Sequence, residues 1–182
     1  SFLGDGTLTS LIKTGINEFD NSKIYIATAD VSDTRITNTQ TEITYNDRPS
    51  RANMEPIQNS LWFAKMKNSR KLIRVSRDSS EILDKYIFST GFAGIYTDKA
   101  LNYTWSFISS KLFDDTVNSL ANGTTMEAIN NSNIKKIPLL IPEVKILYSF
   151  ENKTDSIYEK IEKNRIENQK LSQIRDTILP KL

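Results

Sequence analysis

From residue 143 to residue 179 the chain contains neither glycine nor proline, while glutamate, lysine, asparagine and isoleucine recur throughout. Pro142 stands at the start of this stretch and Pro180 just beyond it, the first-turn and stop positions of one uninterrupted helix. At about 1.5 Å per residue such a helix extends roughly 54 Å, more than a small domain can cover. Leu147, Phe150, Thr154, Ile157, Ile161, Asn164, Asn168, Leu171, Arg175 and Ile178 follow at three- and four-residue steps, the spacing of a seam that meets a partner helix. Of these, Phe150, Ile157, Ile161, Asn164, Asn168, Leu171 and Ile178 are the expected pairing residues of a coiled-coil dimer. The amides interrupt an otherwise apolar row. A buried amide is satisfied only opposite a polar group, so it lowers stability and selects one alignment; Asn164 and Asn168 are expected to meet polar groups across the interface. Ile166 on the opposite face, and Ile174 to one side of the seam, point to a second contact surface.

The composition changes at residue 142, which divides the chain into a globular domain, 1–142, and a long helix, 143–182. The expected class is α+β, a mixed α/β domain of short strands and a few helices. Residues 23–29 and 61–67 alternate like half-buried strands, and residues 41–45, 72–75 and 86–90 are further candidates. Asn68-Ser69 would turn the chain between 61–67 and 72–75, placing Arg70 and Lys71 near a hairpin tip beside Lys65 and Lys67. Trp105, Ile108, Leu112, Val117 and Leu120 have helical spacing, ending near Gly123. Thr124 and Glu127 then form a capping-box pattern for a short second helix. Pro138 and Pro142 bracket Leu139-Leu140-Ile141, read as a last strand or an extended connector.

The chain has no cysteine and no histidine, which removes disulfides, thiol and Ser-His-Asp nucleophile systems, and the usual Cys/His zinc sites. No glycine-rich phosphate loop of either common kind occurs. No apolar run approaches the roughly 18 residues of a membrane span, and the N-terminal residues lack the plan of a signal peptide, so a cytoplasmic location is expected. Two Glu-x-Lys pairs, Glu143-Val144-Lys145 and Glu151-Asn152-Lys153, formally fit a metal nuclease, but both lie where Glu and Lys abound on a solvated helix. No metal site is expected.

A net charge of +2 hides an uneven distribution: residues 48–77 hold eight basic residues and one acid, Glu55. Arg48, Arg51, Lys65, Lys67, Arg70, Lys71, Arg74 and Arg77 are therefore candidate DNA contacts. Arginine forks suit guanine edges and lysines suit phosphates. The same run also fits an ordinary charged hairpin on a solvent face.

The tail Asn164-Arg165-Ile166-Glu167-Asn168, then Leu171, Ile174-Arg175-Asp176 and Leu179-Pro180-Lys181-Leu182, resembles the end of the conserved helical region of type I restriction-modification specificity subunits. Asn122-Gly123-Thr124-Thr125 and Lys135-Lys136-Ile137-Pro138 are similar to the turn and the Ile-Pro segment that precede that region. Gly4-Asp5-Gly6-Thr7 and the segment at 25–31 resemble the start of a target recognition domain. The chain departs from the family where Pro142-Glu143-Val144-Lys145 keeps only part of the segment after the Ile-Pro motif.

The resemblance implies one target recognition domain followed by one conserved helix, where a complete subunit has two such units with antiparallel helices. The chain is thus expected to be a half-subunit or a fragment. Its implied function is sequence-specific recognition of one half of a bipartite site in double-stranded DNA, without catalysis, with methyltransferase and restriction subunits as partners. S-adenosylmethionine would belong to the methyltransferase, since this chain lacks the D-P-P-Y or N-P-P-Y motif. Asn122, Thr124 and Thr125 join the candidate DNA contacts on this ground. The helix would pair with a second copy or a second recognition half. Two alternatives stay open: a dimerising coiled-coil adaptor that never touches DNA, and the recognition domain of a related fused restriction-methylation enzyme.

Overall fold

In the computed structural model, residues 1–122 and 127–179 are described. Two four-stranded sheets and a two-stranded hairpin make the β part. The strands are β1 (Ser10–Leu11), β2 (Lys23–Ile26), β3 (Val31–Ser32), β4 (Arg35–Ile36), β5 (Glu42–Ile43), β6 (Ala52–Met54), β7 (Ser60–Ala64), β8 (Leu72–Val75), β9 (Tyr86–Ser89) and β10 (Phe92–Tyr96). One sheet runs β1-β10-β7-β8, all antiparallel, and the other β5-β2-β9-β6, in which β2 and β9 are parallel. The helices are α1 (Ser80–Lys85), α2 (Leu101–Ile108), α3 (Lys111–Leu120), α4 (Asn131–Ile134) and α5 (Val144–Ile178). The mixed α+β class and the long terminal helix expected from the sequence are both present.

Every residue of β7 is buried. Its alternation therefore sorts side chains between two cores: Leu61 and Phe63 pack with Phe113, Ile108 and Ile134, whereas Trp62 and Ala64 pack with Phe88, Phe92 and Ile73. The first core lies beneath helices α2 to α4, and the second between the two sheets. A small third cluster, Ile43, Ala52 and Ile87, covers the far face of the second sheet. Since β9 belongs to one sheet and β10 to the other, the turn at Thr90-Gly91 is the corner where the sheets join.

Several local expectations needed revision. The helical spacing from 105 to 120 belongs to two helices, because Ser110 accepts a hydrogen bond from the Phe113 amide and starts α3 afresh. The capping-box residues 124–126 lie outside the described residues, but Glu127 begins no helix. Its carbonyl accepts from the Lys67 amide, and Ala128 forms a bridge with Met66. The next helix starts later, where the Asn130 side chain accepts from the Asn133 amide. Residues 138–141 are an extended connector held by the N-terminus, with Leu139 N–H donating to the Ser1 carbonyl. Pro142 lies before α5, whose N-cap is Glu143.

Candidate nucleic-acid interface

The eight basic residues of 48–77 do not form one surface. The β7–β8 hairpin presents several of them, and its tip is closed by Asn68 in the left-handed region (φ 56°) with its N–H bonded to Asn118 of α3. Arg70 then reaches Asp33 at 3.1 Å, Asp114 at 2.7 Å and the Ser109 carbonyl at 3.0 Å. These acids, Asp114 first, hold its pKa above the usual guanidinium value. Lys67 pairs with Glu127 at 2.7 Å. Arg77 pairs with Glu159 at 2.5 Å and Asp155 at 3.6 Å, both on α5. Arg74 is half-buried, donates to Asn102 at 2.6 Å and sits 5.0 Å from the centre of the Tyr158 ring. Burial lowers its pKa, while Glu162, Tyr158, Asp155 and Glu151 act in the opposite direction. Arg48 stacks on Tyr45, 4.1 Å from the ring centre, and donates to the Tyr45 carbonyl.

Arg51, Lys65 and Lys71 have neither a carboxylate nor a ring partner among the described residues, whereas Arg48 and Arg74, also without an ion pair, lie against tyrosine rings. The first three converge on the corner between the sheets. The Arg51 carbonyl accepts from the Thr90 amide, the Lys65 amide donates to the Gly91 carbonyl, and Lys71 Nζ donates to the Thr28 carbonyl at 2.6 Å. A Cβ on Gly91 would lie 3.0 Å from Thr28 Cγ2 and 3.2 Å from an Arg51 guanidinium nitrogen. Burial, followed by repulsion from Arg51, pulls the Lys65 pKa down. Two cations are thus held close together with no counter-charge, an arrangement suited to an anionic partner. Asn122 is exposed beside this edge, its backbone paired with Ala128. Thr124 and Thr125 lie outside the described residues.

The long helix is engaged by its own domain over its first half. Leu147 enters the first core, Phe150 meets the Tyr103 ring edge-on at 6.2 Å, and Glu151 accepts from the amides of Asn102 (3.0 Å) and Tyr103 (2.8 Å) at the start of α2. Tyr158 lies 3.1 Å from the Ser106 hydroxyl. Phe150, expected on a dimer seam, is already packed within the chain. Ile157, Ile161, Leu171 and Ile178 are 55% to 70% exposed, and Asn164 and Asn168 are exposed as well. From Ile161 to Arg175 the helix faces the β3–β4 hairpin across an open groove of ≈ 1030 Å³. Nothing in the sequence marks Glu151 and Tyr158, each one position past a seam residue, as contacts. Their polar character conceals them, because they pair with polar groups of α2 and not with a core.

No family model matches the chain. In sequence, 60 residues, 33% of this chain, are 43% identical to the type I restriction enzyme HindI specificity subunit of Haemophilus influenzae. In structure, the chain superposes on the HsdS subunit from Thermoanaerobacter tengcongensis with a TM-score of 0.61 and 17% identity over 92% of its length. It is similar in sequence and fold to type I restriction-modification specificity subunits. A second type I chain, from a structure concerned with complex assembly and conformational transition of such a system, gives a TM-score of 0.60 at 15% identity over 93%. The chain spans 44% and 47% of those two chains, and the stretch aligned to the HindI specificity subunit is 13% of that protein. Among the described residues no helix is long and apolar enough to cross a membrane.

Proposed function

We propose that this chain is a recognition unit of a type I restriction-modification complex that reads one half of a bipartite DNA site and catalyses no reaction itself. Residues 1–142 supply the DNA contacts, and residues 143–182 set spacing and dock the methyltransferase and restriction subunits in the cytoplasm. The observation that carries this reading is the corner at Arg51, Lys65 and Lys71, where cations gather without acids on a domain of the specificity-subunit fold. The exposed row at Ile157, Ile161, Leu171 and Ile178 supports pairing with a second such helix, from another copy or another recognition half. S-adenosylmethionine chemistry then belongs to the methyltransferase.

The test is an electrophoretic comparison of specific and random duplex at two salt concentrations, with the partner methyltransferase present and the specific site taken from methylation marks in cells carrying the intact system. Preference for the marked site, with affinity falling steeply as salt rises, supports the reading. Equal and weak retention of both duplexes by a chain that still self-associates would overturn it in favour of an adaptor.

A further inference from the structure

The contact between the recognition domain and α5 is unlike either core. One apolar residue of the helix, Leu147, is buried there and Phe150 meets the Tyr103 ring edge-on; beyond them the contact is polar. The Glu151 carboxylate takes two first-turn amides of α2, groups that have no partner inside their own helix. Arg74 bridges from β8, holding Asn102 of α2 and lying over Tyr158 of α5. Its Nε is buried without a hydrogen-bond partner among the described residues. Arg77 closes the far side of the joint on Asp155 and Glu159. Apolar contacts tolerate sliding and rotation, whereas these bonds are directional, and each is satisfied at one setting of the helix.

We propose that Glu151 and Arg74 are positioning residues that fix the rotation of the recognition domain about the long helix, and thereby the separation and phase at which two recognition domains meet their half-sites. This rests on the bipartite reading above for its DNA consequence, but not for its structural one. Helix length sets how far apart the domains stand. The joint sets which way each faces, and on a duplex a change of facing is equivalent to a change of spacer length.

The full chain has no cysteine, so cysteines introduced at the exposed positions Ser50 and Glu167 can carry nitroxide labels for distance measurement by pulsed electron resonance. The parent is expected to show one narrow distance. Glu151→Ala and Arg74→Met are expected to broaden it, and Glu151→Gln, whose amide oxygen still accepts from the α2 amides, to restore it. On duplexes whose half-sites are separated by series of spacers, the two broadening variants should lose about fivefold of the preference for the best spacer, and Glu151→Ala should do so with single half-site affinity kept. A narrow distance and an intact spacer preference in both variants would overturn the proposal. Should either fail to fold, Arg77→Ala on the solvent side of the joint makes the same prediction, and an unchanged distance there would overturn it equally. A parent that ignores half-site sequence sinks the recognition reading alone, leaving the distance result to decide the joint.

Discussion

Gly94 stands opposite Trp62 across the β7–β10 ladder, and a Cβ at Gly94 would lie 2.6 Å from the Trp62 ring. The indole occupies the space a side chain would take, while its Nε1–H donates to Ser60 Oγ at 2.8 Å and its ring meets Phe88 edge-on at 5.0 Å. Gly94→Ala must displace a buried ring held on two sides. A loss of about 1 to 3 kcal/mol in chemical denaturation is expected, the range for overpacked cores.

The free and engaged cations should behave differently. Replacing both Arg51 and Lys65 by alanine should reduce the slope of log affinity against log salt by about 0.9 for each phosphate contact removed, with stability little changed. Arg70→Ala should leave that slope alone and lower stability by about 1 kcal/mol or less, because its ion pairs are largely exposed. Titrations at several salt concentrations and denaturant melts separate the two effects.

Replacing Asn164 and Asn168 together by leucine should strengthen self-association of the helix and relax its alignment. Sedimentation equilibrium would show the tighter association. Crosslinking through cysteines placed at either end of α5 would show mixed parallel and antiparallel pairs where the parent gives one.

Asp5 anchors the first turn of the chain, accepting from the Phe2 and Thr7 amides at 2.7 and 2.8 Å and from the Ser1 hydroxyl at 2.7 Å. The Phe2 amide contributes most to holding its pKa well below the usual carboxylate range. A pKa depressed in the folded state adds stability above the unfolded value, near about 3.9, and loses it as the pH falls towards the folded one. Asp5→Asn should therefore lower the thermal midpoint at neutral pH, and the gap from the parent should narrow below about pH 4.

What the sequence disclosed followed how local each cause is. The β7–β8 hairpin, the break before α5 and the uninterrupted run of α5 are written in neighbouring residues, as is the tail that resembles type I specificity subunits. The pairing of the basic residues is not. Arg70 finds acids 37 and 44 positions away, and Arg77 finds Glu159 82 positions away, so a stretch that reads as uniformly cationic is neutralised in part by the fold. The two-sided burial of β7 was hidden for the same reason, since alternation marks two faces without saying that both are covered. Glu151 was legible only as one more acid on a helix until α2 was placed against it.

The corner between the two sheets is tied by main-chain atoms: Thr90 N–H to the Arg51 carbonyl, Lys65 N–H to the Gly91 carbonyl, Ile129 N–H to the Lys65 carbonyl. Any residue except proline can supply an amide, and every residue supplies a carbonyl. The side chains at 51 and 65 are thus released from architectural duty, and descendants of this chain can exchange them while inheriting the corner intact.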